Sequence, residues 1–165
     1  MNEQNKGRRF LLLGGSSELL LAFLRCNEWN ENDWIIAQYC HHDEELRKIA
    51  ATIPARLDLL YADFMSEDST KQMAQTLVDK AFVPTHILHV PAVPVVNQRF
   101  TDLQWSEAES QIHVQCRSLV IVLQAVIRKM AKAHTGRIVI GLSSCTLNVP
   151  PKYLASYVQA KYALM

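Results

Sequence analysis

Short apolar runs alternate along the chain with longer stretches in which apolar residues recur every three or four positions. That alternation predicts strand–helix–strand units packed around a parallel sheet. Phe10 to Leu13 reads as a first strand, and Leu19, Leu20, Ala22, Phe23 and Leu24 give the following segment, Ser17 to Arg25, a helix with a broad buried face. Trp34 to Tyr39 is a second strand; a helix over Asp43 to Ala51 must end before Pro54, and Arg56 to Ala62 makes a third strand. Ser66-Glu67-Asp68-Ser69 opens the next helix with capping residues and early acids, which the helix dipole favours, and Met73, Ala74, Leu77 and Val78 follow at helical spacing. His86 to Val90 is the fourth strand.

A long amphipathic helix is expected over Ser106 to Lys132, roughly 40 Å in length. Its apolar face runs through Ile112, Cys116, Leu119, Val120, Leu123, Val126, Ile127 and Met130, with Trp105 as an anchor at its start. Gly136 breaks it, Arg137 to Leu142 forms a fifth strand, and a last helix begins near Leu154. The pattern is that of a doubly wound α/β fold forming one domain over 1–165, with helices on both faces of the sheet. In such sheets ligands bind at the carboxyl ends of the strands, so the loops Pro91–Pro94 and Pro150-Pro151 are either site walls or simple chain reversals.

Composition narrows the class. Seventeen basic against sixteen acidic residues leave a net charge of +1, so no global field draws the chain to nucleic acid or anionic lipid. Cys26, Cys40, Cys116 and Cys145 are scattered without a paired spacing, as expected of reduced, mostly buried thiols in a cytoplasmic protein. Arg8-Arg9 ahead of Phe10–Leu13 superficially resembles a twin-arginine export signal, but Gly14 to Glu18 interrupt the apolar run, and a buried strand explains it better. No paired Cys/His spacing points to a metal; His86 and His113 read as strand and helix residues and His134 as a helix-end cation.

Two motifs carry chemistry. Gly14, Gly15, Ser16 and Ser17 form a turn from the first strand into a helix, where backbone N–H groups can hold a pyrophosphate; the same turn is also compatible with plain chain reversal. Lys161 follows Tyr157 by four residues, which places both on one helix face, so the ammonium can approach the phenol and favour its phenolate for general acid/base work. Ser144, at the exit of the fifth strand, can hold a substrate oxygen.

With these residues the chain resembles the short-chain dehydrogenase/reductase family over essentially its whole length. The resemblance implies a Rossmann-like sheet of order 3-2-1-4-5, with the family's final strands absent. The family's dinucleotide turn T-G-x-x-x-G-x-G corresponds to Leu13-Gly14-Gly15-Ser16-Ser17-Glu18-Leu19-Leu20, which keeps the first glycine and places Glu18 and Leu20 at the other two. A carboxylate there would repel phosphates unless it points to solvent, and a leucine would crowd helix against strand. N-N-A-G is replaced by His89-Val90-Pro91-Ala92, and Gln115 stands at the asparagine of the catalytic tetrad. The resemblance assigns Tyr157 as general acid/base, Lys161 to the nicotinamide ribose and to tuning Tyr157, Ser144 to orienting substrate, and Gln115 to a water-mediated proton relay. It assigns the dinucleotide to Gly14, Gly15, Ser16, Ser17, Cys40, His41, Asp63, Val90, Pro91 and Lys161.

The implied activity is NADP(H)-dependent reduction of a carbonyl or oxidation of a secondary alcohol on a small molecule. NADP rather than NAD is expected because Gln38-Tyr39-Cys40-His41-His42 offers no acid at the end of the second strand for a ribose diol. His41 or His42 would then lie near the 2′-phosphate, or both are ordinary loop residues. The resemblance further implies a homodimer or homotetramer paired through the helices at 106–132 and around Tyr157. Because the family continues beyond this point, the 165 residues are expected to be part of a longer chain. The competing class is a non-catalytic dinucleotide-sensing or interaction protein that retained the fold.

Overall fold

The computed structural model describes residues 7–134 and 136–165. Its centre is a five-stranded parallel sheet: β1 (Arg9–Leu13), β2 (Trp34–Tyr39), β3 (Arg56–Tyr61), β4 (His86–His89) and β5 (Arg137–Ile140), in the order β3-β2-β1-β4-β5. The helices are α1 (Glu18–Cys26), α2 (Glu44–Ala50), α3 (Glu67–Asp79), α4 (Trp105–Ile112), α5 (Ser118–Lys132) and α6 (Ala155–Ala163). The expected doubly wound architecture is therefore present, with several ends shortened: β3 stops before Ala62, β4 before Val90 and β5 before Gly141.

Alternation along β1 explains the two layers, because side chains on a strand point alternately to opposite faces. Leu11 and Leu13 join Ile36, Met73, Leu77, Phe82, Ile87, Val122, Val126 and Met130 beneath α3 and α5. Phe10 and Leu12 face the other way, onto Leu20, Leu24, Trp29, Ile35, Leu46 and Ile49 beneath α1 and α2. α6 packs against α4. The run Trp105–Lys132 is long and apolar enough to cross a bilayer by length and composition, yet Val114, Leu119, Val122, Val126 and Met130 are buried against the sheet.

Three local expectations are corrected. The long helix is not regular: His113–Arg117 makes one π turn, in which the Ser118 N–H donates to the His113 carbonyl five residues back. Trp105 is 74% exposed and anchors nothing in the core; the helix start is held instead by a capping box between Gln104 and Glu107. Among the cysteines only Cys145 is buried, Cys26 is exposed, and all four are free thiols.

Candidate functional site

The carboxyl ends of β1, β2 and β4 open into a crevice of about 440 Å³. Gly14, Ser16, Ser17, Cys40, His41, Asp63, Val90 and Pro91, expected from the sequence to meet a dinucleotide, all line it. Gly14 sits at φ +81, where a side chain is strained, and a Cβ there would lie 3.1 Å from the Pro91 nitrogen. Gly15 does not line the crevice; its N–H donates to the Gln38 carbonyl (2.7 Å), and a Cβ would meet that oxygen at 2.9 Å. Its smallness closes the turn onto β2.

Ser17 caps α1 with its hydroxyl, accepting from the Leu20 N–H (3.4 Å). The first N–H groups of the helix lack intrahelical partners by geometry and form the positive end of its dipole. Neither family departure fills the crevice. Glu18 is exposed, and Leu20 is buried at 1% exposure in the core beneath α1. The leucine occupies space between helix and sheet, away from the opening.

Gln38 is a residue the sequence reading passed over. Its buried amide accepts from the Gly14 N–H (2.8 Å) and donates to the Ala62 carbonyl (2.7 Å), joining the ends of three strands under the crevice floor. Asp63 accepts from the Met65 N–H (2.8 Å). Burial, and then the Asp63 carboxylate, push the Cys40 thiol up, so it stays protonated at neutral pH.

The elements that carry the catalytic candidates meet at α6, which Lys161 ties to the residue after β5. Lys161 is buried, and its Nζ donates to the Gly141 carbonyl (2.6 Å) while lying 5.5 Å from the Tyr157 ring centroid. Burial holds the Lys161 ammonium below the usual lysine range. Tyr157 is half-buried on the same helix. Ser144, an exposed residue, opens a 3₁₀ turn, Ser144–Thr146, that packs against α6; Ser143 caps the turn by accepting from the Cys145 N–H (3.4 Å).

Gln115 lies in the π turn, fully buried. Its Nε2 donates to Gln111 Oε1 (2.6 Å), and Gln111 Nε2 donates to the Val93 carbonyl on the crevice wall (3.3 Å). Gln115 Oε1 has no partner among the described residues. Its neighbour Val114 lines the crevice, so the π turn connects the two halves of the site.

His89 was also missed. Ser118 donates its hydroxyl to the Val114 carbonyl, an acceptor left over by the π turn (2.5 Å), and His89 Nε2 lies 3.5 Å from the same hydroxyl oxygen. With the hydroxyl proton committed, the imidazole is the donor in this pair. Burial, and then the Lys161 charge, lower His89 to about 4, so it is neutral at pH 7. A polar residue two positions after the core residue Ile87, on the same face of the strand, was the available signal.

A family model described as short chain dehydrogenase matches residues 21–165. Among solved structures, the chain is similar to a short-chain dehydrogenase/reductase from Serratia marcescens, at 18% identity and TM-score 0.78, covering 96% of this chain and 64% of that one. It is also similar to a metagenomic short-chain oxidoreductase in complex with NADP (18%, TM-score 0.80, 96% and 72%) and to an NADH-dependent reductase complexed with NAD (14%, TM-score 0.80, 96% and 69%). At these identities the likeness speaks to the fold, and the chain spans less than two thirds of the Serratia protein's length. No curated protein matches the chain.

Proposed function

The chain belongs to the short-chain dehydrogenase family, and from that premise we propose that it is an NADP(H)-dependent oxidoreductase interconverting a small carbonyl compound and its secondary alcohol. The observation that carries this reading is the buried Lys161 ammonium beside the Tyr157 ring, one helical turn away; neither residue is among those lining the crevice.

The crevice fits a dinucleotide. Gly14, Ser16 and Ser17 would face the phosphates at the positive end of α1, Asp63 and Cys40 the adenine side, and Val90 and Pro91 the middle, while Gly15 supports the turn from behind. When bound, the nicotinamide supplies or accepts hydride. Tyr157 holds the proton that the substrate oxygen gains or loses. Lys161 stabilises the phenolate by charge, and the Gly141 carbonyl holds that ammonium in place. Ser144 offers its hydroxyl to the substrate oxygen, and Gln115 Oε1 accepts a water that resupplies the proton. The absence of a carboxylate along Gln38 to His42 favours NADP over NAD. Val120 and Ile127, exposed on the outer face of α5, support pairing between copies.

A second reading, a dinucleotide-binding protein without turnover, is favoured by Glu18, which puts an exposed carboxylate in the first turn of α1 at a position where the family carries glycine. NADPH titration followed by fluorescence, with turnover measured on a ketone panel, separates the two. The oxidoreductase reading expects saturable binding and NADPH consumption. Binding without consumption supports the second reading, and no binding of either dinucleotide sinks both.

A further inference from the structure

A second large cavity, about 790 Å³, lies at the opposite end of the sheet, over the amino ends of β1, β4 and β5. Arg8, Arg9, Thr85, His86, Gly136 and Arg137 are among its lining residues. Arg8 is already neutralised, because it bonds the buried Asp33 carboxylate (2.6 Å) and the Glu28 carbonyl (2.7 Å). Arg9 and Arg137 differ from it. Among the described residues neither pairs with a carboxylate: Arg9 leans on the Trp34 ring at 5.8 Å from its centroid, and Arg137 is exposed at the start of β5.

Two further observations sharpen this. The carboxyl end of α5, which opens at Ala133 toward the cavity, already carries Lys129 and Lys132 in its last turn, so Arg9 and Arg137 are not needed to offset its dipole. His86, stacked on Phe10 at 4.5 Å and in contact with Thr85 Oγ1 at 2.9 Å, is kept from protonating first by burial and then by the charges of Arg137 and Arg8. The neighbourhood is thus positive where it meets solvent.

We propose that this cavity binds a small phosphate-bearing anion, held by the Arg9 and Arg137 guanidiniums, whose forked N–H donors match phosphate oxygens. The site is separate from the crevice by the length of β1, roughly 16 Å, and does not depend on the oxidoreductase reading.

The test is a calorimetric titration of inorganic pyrophosphate into the protein with NADPH present in excess, so that the crevice is already offered its own ligand. The expected result is saturable one-to-one binding that weakens with added salt. It should fall about tenfold or more in R9Q, and again in R137Q, while NADPH titration and melting temperature stay those of the wild type. Pyrophosphate binding in a protein that ignores NADPH would retain this proposal while overturning the crevice reading. Absence of saturable pyrophosphate binding, or wild-type affinity in the R9Q/R137Q double variant, overturns the proposal. Arg137 is exposed, so its replacement changes charge without touching the core. Repeating the titration with AMP then separates a nucleotide phosphate, which binds more tightly than pyrophosphate, from an inorganic one, which does not.

Discussion

β1 and β5 lie in the same sheet and are both built from aliphatic residues, yet their surroundings differ. The last four residues of β1 are buried, whereas three of the four residues of β5 are exposed, Val139 at 58%. β1 carries the glycine turn and the floor of the crevice; β5 leads to Gly141, whose carbonyl holds Lys161, and on to Ser144. The crevice is thus shaped by two core layers. The region around Tyr157 and Lys161 is set by one lysine–carbonyl bond and the packing of α6 on α4. Binding and chemistry should therefore be separable by mutation.

The strongest way to break this contrast is to empty the core under the crevice. Leu12→Ala removes a fully buried side chain and should cost about 2–5 kcal/mol in urea unfolding. Acid should act next. His89 titrates near 4 in the folded chain against 6.5 when exposed, so the unfolded state takes up the proton first. The stability due to its neutral burial is complete above pH 6.5 and should fall by about 3 kcal/mol as pH drops toward 4. Urea melts at pH 7 and 4.5 check this, and His89→Asn should flatten the difference. Gly14→Ala forces a side chain into a left-handed conformation against Pro91, with an expected cost of about 1–3 kcal/mol in thermal melts and weaker NADPH binding. Val139→Ala on the edge strand should change stability by less than about 0.5 kcal/mol, although it too is a large-to-small change.

How far the sequence discloses this molecule follows the same division. The apolar runs at Phe10–Leu13 and Trp34–Tyr39 mark fully covered strands, and the four-residue step from Tyr157 to Lys161 places both on one face; such features are local and therefore legible. The π turn at Gln115 is not, because no residue type there demands one extra residue per turn, and the compensating bond from Ser118 to Val114 is visible only in three dimensions. Leu20 at a family glycine position looks obstructive in one dimension. In space it turns into the core, since helix α1 rotates that position toward Leu12 and Ile35. The Gln38 amide escaped notice for a related reason: its partners, Gly14 and Ala62, are each 24 residues away.

The most direct test of the proposed reading, in which Tyr157 moves the proton and the crevice holds the dinucleotide, is NADPH titration and ketone turnover on Tyr157→Phe. The account predicts that affinity for NADPH stays within about twofold of wild type while turnover falls by about 10²–10⁴. Turnover that survives the loss of the phenolic hydroxyl, or NADPH binding that disappears with it, would contradict the account.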